Sequence, residues 1–255
     1  LKESVPFSGA HDIFARMIPG PEIILACPHC DALAKLPTFD AIDPTGAVSW
    51  TDGYQELPGF PRQANVVRCH KCAKLYWLAV APQLGFLMPG EVAEGERASW
   101  NGVPAVVSTD EAGYLEALVE GMAAFPEQEL ELRVFAWWRG NDKYRYSKEP
   151  GRFPTSPEAV ANAERMIELT ADGDHELVLF RAEALRQLGR FAEANEALYG
   201  LCSDYTLARE RQRELIAAGS RDLDTLFSEE TLARLAAEQE AAEREFLESQ
   251  GSEPV

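Results

Sequence analysis

The sequence predicts an α+β chain, with a small antiparallel β unit towards the N-terminus followed by an all-helical region. Three observations carry that prediction. Two Cys-x-x-Cys pairs, Cys27-Pro28-His29-Cys30 and Cys69-His70-Lys71-Cys72, stand 38 residues apart. Short β-prone runs lie around them, punctuated by Pro and Gly. From residue 108 onward, apolar residues recur at helical spacing behind capping signals. The 255 residues thus divide into a β unit over 1–90, a linking region with two helices over 91–155, and a helical region over 156–255.

In the first part, residues 22–26 (Glu-Ile-Ile-Leu-Ala) form a β-prone run into the first cysteine pair. Val66-Val67-Arg68 leads into the second, and residues 75–80 leave it as a strand. Between them, Thr51-Asp52-Gly53 carries the Asp-Gly signal of a hairpin. Residues 89–107 read as a Gly/Pro-rich transition. Ser108 to Glu111 has the spacing of a capping box, and Tyr114, Leu115, Leu118, Val119 and Met122 mark one face of the helix it opens. Pro126 opens the next helix, which passes Leu130, Val134, Trp137 and Trp138 and stops near Gly140-Asn141-Asp142.

Ser156-Pro157-Glu158 starts another helix, ending near Asp172-Gly173, and from His175 helix follows helix to about residue 248. The last, over 229–248, sets a thin stripe of Leu232, Leu235, Ala236 and Phe246 against a dense glutamate face.

Two Cys-x-x-Cys knuckles at the ends of hairpins supply four thiolates, enough for one closed tetrahedral Zn²⁺ site. The sequence therefore predicts a structural zinc ribbon with Cys27, Cys30, Cys69 and Cys72 as ligands and one Zn²⁺ per chain. Zinc ribbons often carry Gly just after the second cysteine of a knuckle; Asp31 and Ala73 stand there in this chain. His29 and His70 read as exposed knuckle-tip residues. The competing reading is redox, because Cys-Pro-His-Cys is also the active-site tetrapeptide of a strongly oxidising thioredoxin-fold enzyme type. That chemistry needs a long helix after the motif, and Pro37 leaves little room for one.

Net charge is −18, and it is unevenly placed. Residues 1–90 hold 7 Lys+Arg against 8 Asp+Glu, whereas residues 91–255 hold 17 against 34. Such a surface repels phosphate backbones and disfavours nucleic acid as a partner, while it suits a basic protein. No apolar run reaches the roughly 20 residues of a membrane span, and no signal-peptide pattern is visible. Five cysteines, with Cys202 left over from the knuckles, fit a reducing compartment, and the cytoplasm is the expected location.

Residues 177–201 resemble a tetratricopeptide repeat, in which two helices meet at a tight turn with small residues at their crossing. Ala182, Leu185, Gly189, Phe191, Ala194 and Leu198 match that pattern, whereas Arg181 replaces a large apolar residue and no proline closes the unit. A 34-residue period is not visible on either side. The resemblance implies a helical hairpin capped by neighbours at 157–170 and 205–218. The whole chain is also similar to a family of uncharacterised bacterial proteins. These share Pro19-Gly20-Pro21-Glu22 ahead of Cys-Pro-His-Cys, the segment Trp137-Trp138-Arg139-Gly140-Asn141-Asp142, and a single hairpin at Leu188 to Ala194. That likeness brings no activity with it.

Nucleotide-loop, hydrolase and metalloprotease motifs are absent, and outside the knuckles only His11 and His175 remain as histidines. The expected function is therefore non-catalytic protein–protein interaction, as an adaptor, regulator or neutralising partner with a structural zinc site. Trp137, Trp138, Asn141 and Asp142 form the candidate interaction patch. Two alternatives stand beside it. One is a zinc-ribbon module contacting nucleic acid or its machinery through Arg62, Arg68, Lys71 and Lys74. The other is a thiol–disulfide oxidoreductase using Cys27 and Cys30.

Overall fold

The computed structural model describes residues 17–44, 46–61, 64–149, 151–227, 231–234, 237 and 241. It is mixed α and β, with small antiparallel sheets and several helices. The chain divides into two units. The first holds the residues up to Ala47 together with Glu56–Ser108, and the second holds Val48–Gln55 together with the residues from Thr109 onward.

The strands are β1 (Ile18–Pro19), β2 (Glu22–Ala26), β3 (Leu33–Leu36), β4 (Phe39–Ala41), β5 (Val48–Ser49), β6 (Gln55–Glu56), β7 (Val66–Arg68), β8 (Leu75–Trp77) and β9 (Gln83–Leu87). In the first unit β2 is the centre of a three-stranded antiparallel sheet, with β3 and β9 as its neighbours. Its Ile-Ile-Leu run suits that place, since a central strand with both faces covered favours bulky apolar residues. Ile24 is fully buried against Leu87 and Ala93, with Trp100 and Val103 behind them. The segment after β9 belongs to this packing. The Lys35 amide donates to Pro104 O at 2.9 Å, and the Val106 amide donates to Lys35 O at 2.8 Å. β7 and β8 form a separate hairpin in the register Val66↔Trp77 and Arg68↔Leu75. The strand expected over 75–80 ends at Trp77, where the chain tightens into a 3-10 turn over Leu78–Val80.

The helices of the second unit are α1 (Glu111–Val119), α2 (Pro126–Asn141), α3 (Pro157–Leu169), α4 (His175–Gln187), α5 (Phe191–Ala197) and α6 (Thr206–Ala217). Their starts follow local chemistry. Asp110, rather than Ser108, caps α1 by accepting the Gly113 amide at 2.9 Å. Ser156 and Asp174 cap α3 and α4 in the same way, with Pro157 opening α3. α4 and α5 make a helical hairpin around Gly189, at φ 79°, with Ala184, Leu185 and Ala194 in one apolar cluster with Ala163 and Ile167 of α3. The terminal helix expected over 229–248 falls almost entirely outside the described residues. Among the described residues of that stretch Leu232 is exposed.

The core of this unit is not purely apolar. The tip of the β5–β6 hairpin carries Asp52, whose carboxylate is wholly buried. Arg145 grips it with two bonds, Nη1 to Oδ1 at 3.1 Å and Nη2 to Oδ2 at 2.9 Å. The Asn141 side-chain amide and the Tyr54 backbone amide donate to the same carboxylate. A second buried carboxylate, Glu183 of α4, accepts from Thr51 Oγ1, Arg186, Gln187 and Gln212 at distances of 2.7–3.0 Å. Arg186 spends its remaining donors on the carbonyls of Ser220 and Asp222. Gly53 completes the tip. It sits at φ 78°, and a Cβ there would fall 2.2 Å from a ring carbon of Phe180.

Breaking one partner of a buried pair strands the other charge, which costs about 3–5 kcal/mol. Asp52→Asn is expected to destabilise the chain by that amount in urea unfolding followed by tryptophan fluorescence. A loss under about 1 kcal/mol would mean that Arg145 finds water or another anion. A second test uses pH. On α2, Glu129 holds Arg165 of α3 as well as Arg133, and the bonds from Arg165 bring its carboxyl down from 4.5 to about 2. Since the folded pKa lies below the unfolded one, this stabilisation is complete above pH 4.5 and disappears as pH falls towards about 2. With Glu129 partly solvated, about 1–2 kcal/mol should be lost across that window. Glu129→Gln should remove this part of the acid dependence, with stability little changed relative to wild type only once pH reaches about 2.

Candidate metal centre

Each knuckle is a tight turn built by backbone bonds. In the first, the Cys27 amide donates to Ala32 O at 2.8 Å and the Asp31 amide to Cys27 O at 3.0 Å. In the second, the Cys69 amide donates to Lys74 O at 2.9 Å and the Ala73 amide to Cys69 O at 2.9 Å. The residue that reverses each turn, Asp31 or Ala73, sits at φ 57° or 60°. Both therefore occupy the left-handed region where ribbons often use glycine, so the backbone keeps the turn although the residue type departs from it.

β2 and β3 hold the first turn, and β7 and β8 hold the second. Together they bring all four ligand atoms of Cys27, Cys30, Cys69 and Cys72 within 4.8 Å of one another. The close pairs run between knuckles, with Cys27 Sγ 3.8 Å from Cys72 Sγ and Cys30 Sγ 3.6 Å from Cys69 Sγ. A tetrahedron with metal–sulfur bonds of about 2.3 Å has edges of about 3.8 Å, so the spacing fits a four-sulfur metal site. A disulfide needs about 2.05 Å, and all four thiols are free. The donor set thus fits a metal ion.

The surroundings favour the same use. The His29 amide points at Cys27 Sγ at 3.5 Å, and the amides of Lys71 and Cys72 point at Cys69 Sγ at 3.4 and 3.5 Å. N–H groups aimed at sulfur stabilise thiolate, and position rather than residue type supplies them, which is why sequence reading did not single them out. Val67, Tyr76 and Ala32 pack an apolar shell around the cysteines. Burial pushes the Cys27 thiol up to about 12, against the pull of the His29 amide. At Cys69 burial also opposes ionisation, but the amides of Cys72 and Lys71 outweigh it and bring that thiol down to about 7. A cation is needed for all four sulfurs to ionise together. His29 and His70 are exposed, and His29 Nε2 lies 3.2 Å from Leu75 O, so neither histidine belongs to the cluster.

The four residues of the candidate interaction patch lie elsewhere and turn inward. Trp137 is buried, with its indole N–H donating to Gln187 Oε1 at 2.9 Å. Trp138 is half-buried and donates to Asp52 O, while Asn141 is fully buried and donates to the Asp52 carboxylate. Asp142 pairs with Arg139 and Arg145. Trp137 and Trp138, consecutive residues of α2, both reach the polar core because Gln187 and Asp52 offer acceptors there. Arg62 and His11 lie outside the described residues, and His175 stacks near Tyr205. Cys202 is half-buried and apart from the cluster.

No protein-family model, curated protein or solved structure matches this chain.

Replacing the left-handed alanine by glycine tests the knuckle geometry directly. Ala73→Gly is expected to stabilise the metal-bound protein by about 1 kcal/mol, since relief of the backbone strain exceeds the extra chain entropy of glycine. Thermal unfolding of the loaded protein reads it, and a lower midpoint for the variant would count against the turn as described.

Proposed function

We propose that this protein is a non-catalytic protein–protein interaction module, acting as an adaptor, regulator or neutralising partner, with one structural Zn²⁺ held by Cys27, Cys30, Cys69 and Cys72. The observation that carries the reading is the closed set of four sulfurs. Four protein ligands fill a tetrahedral ion and leave no position for water or substrate, the mark of a structural site. Zinc suits this set because thiolates bind it strongly and it has no redox chemistry to lose to oxygen.

The second unit supports the partner-binding part. Its α4–α5 hairpin carries Ala182, Ala194 and Leu198 fully buried at positions where tetratricopeptide hairpins cross, in keeping with a tetratricopeptide-like region. The acidic excess points to a basic partner. Among the described residues no helix is long and apolar enough to cross a membrane. Free cysteines and a zinc site are at home in a reducing compartment, and we place the protein in the cytoplasm on that ground. Membership of the bacterial family that shares the Cys-Pro-His-Cys and Trp-Trp segments is part of the same proposal.

One observation favours a second reading. Arg68, Lys71 and Lys74 are exposed on and beside the second knuckle, in a unit that is nearly neutral. That is a small cationic surface of the kind by which ribbons touch nucleic acid. The redox alternative finds less support, since Cys30 is followed by the Asp31 turn and β3, with no helix N-terminus to stabilise a reactive thiolate.

Elemental analysis with thiol titration tests the metal. One zinc per chain is expected, with about one thiol (Cys202) reactive before chelation and five after, and Cys69→Ser should lose the ion. A metal-free protein with a reducible Cys27–Cys30 bond would overturn the reading. The partner is tested with the zinc-loaded chain immobilised. Retained proteins should be basic and released as salt rises from about 0.05 to 0.5 M, whereas salt-sensitive retention of RNA or DNA fragments would favour the second reading.

A further inference from the structure

The second unit contains a cavity of about 280 Å³, lined by residues of the β5–β6 hairpin, α4, α6 and the chain at 226–227. Its wall is mainly apolar and aromatic, with Leu179, Phe180, Tyr205, Leu226 and Phe227 among its residues. Neither the metal centre nor the helical hairpin accounts for it. A cavity of this size stands at the small end of ligand pockets and has room for one large apolar side chain.

The charged side chains of the lining have one sign. Glu176 stands in the first turn of α4, and Asp204 in the 3-10 turn over Ser203–Tyr205 that leads into α6. No Lys, Arg or His is present among the described lining residues. Both carboxylates are exposed, so they mark the side on which the cavity meets solvent. Asp204 accepts from the neighbouring Ser203 hydroxyl at 3.4 Å, and neither carboxylate pairs with a Lys or Arg among the described residues. An apolar recess beside two unneutralised carboxylates disfavours an anion and selects an apolar group that carries a cation close by.

We infer that this cavity receives one phenylalanine- or leucine-sized side chain of a basic polypeptide segment, whose flanking Lys or Arg residues meet Glu176 and Asp204. The inference rests on the interaction reading above and names the site and the chemistry of its partner. A polypeptide suits the site better than a small amine. The two carboxylates come from separate elements, and a chain with basic residues on both sides of an apolar one supplies a cation to each. An apolar anchor in a pocket carries most of the affinity of such a contact. The exposed charges speed the encounter and turn acidic segments away.

The test uses the zinc-loaded full chain, with the methyl signals of Leu179, Leu207 and Leu226 of the lining followed by NMR. Capped Lys-Phe-Lys is the probe, and capped Glu-Phe-Glu and Lys-Ala-Lys are controls that change only the charge or only the anchor. A saturable shift of these methyls is expected, with binding at least about tenfold tighter for the probe than for either control. Glu176→Gln combined with Asp204→Asn should weaken it about three- to tenfold. No saturable shift up to about 10 mM probe, or equal binding of the probe and either control, overturns the inference, and the wild-type chain alone decides that. Phenethylamine, an aromatic ring with one ammonium, is the small-molecule arm, and binding as tight as the peptide's overturns the assignment to a polypeptide. The two readings fail separately. Retention of basic proteins that the double variant leaves unchanged, with no peptide bound, overturns this inference alone. Peptide bound at the cavity with no protein retained overturns the interaction reading alone.

Discussion

The second unit is organised around two carboxylates that water never reaches. Asp52 and Glu183 are both fully buried, and each is surrounded by donors rather than by hydrocarbon. An isolated carboxylate in that position would be prohibitively costly, so the fold depends on delivering every donor to its place at once. Arg145, Asn141 and the Tyr54 amide must converge on the first, and Thr51, Arg186, Gln187 and Gln212 on the second. Trp137 joins the second network through Gln187, and Trp138 joins the first through Asp52 O. The hairpin tip, α2, α4, α6 and the 220–222 loop are thereby tied to a single arrangement. Apolar packing alone would tolerate small slips of these helices, whereas an unmet carboxylate would not.

The first unit solves a different problem. Its strands are two to five residues long and its apolar clusters are small, so little hydrophobic burial is available per residue. Four sulfurs at tetrahedral spacing would, with an ion bound, supply what such a core lacks, because a site that exists only in the folded chain turns binding energy into folding energy. The amides aimed at Cys27 and Cys69 and the left-handed turns at Asp31 and Ala73 are the local cost of that spacing. Strain at the turns is held in place by the strands on either side, β2 with β3 and β7 with β8.

Much of this was legible in the sequence, for identifiable reasons. The Cys-x-x-Cys spacing carries its own geometry, so the cluster followed from residue type and interval alone. Helix starts at Pro126 and Ser156 were equally local, because a cap or an N-terminal proline acts over three residues. β3 and β9 were missed. β3 is four residues long and β9 is interrupted by Gly85, and each exists as a strand only because β2 lies beside it. The partners of Trp137, Trp138 and Asn141 were illegible for a stronger reason. The partners lie 50, 86 and 89 residues away in sequence, and a hydrogen bond over that distance leaves no periodic trace.

The segment Val48–Gln55 shows how far sequence position can mislead about allegiance. It lies between the two knuckles, and its Asp-Gly signal marks a hairpin that does form. Yet its polar tip groups with residues more than 80 positions downstream, and the amides of Thr51 and Leu226 extend it by backbone pairing with Asp224 O and Ser49 O. The reason is charge satisfaction. Asp52 needs a guanidinium and a buried amide, and in this unit Arg145 and Asn141 provide them at 2.8–3.1 Å. An aspartate chosen only to initiate a turn would stand in water, where a turn gains most from it. Its complete burial instead marks it as an anchor, and the glycine beside it, pressed against Phe180, leaves that anchor no room to shift.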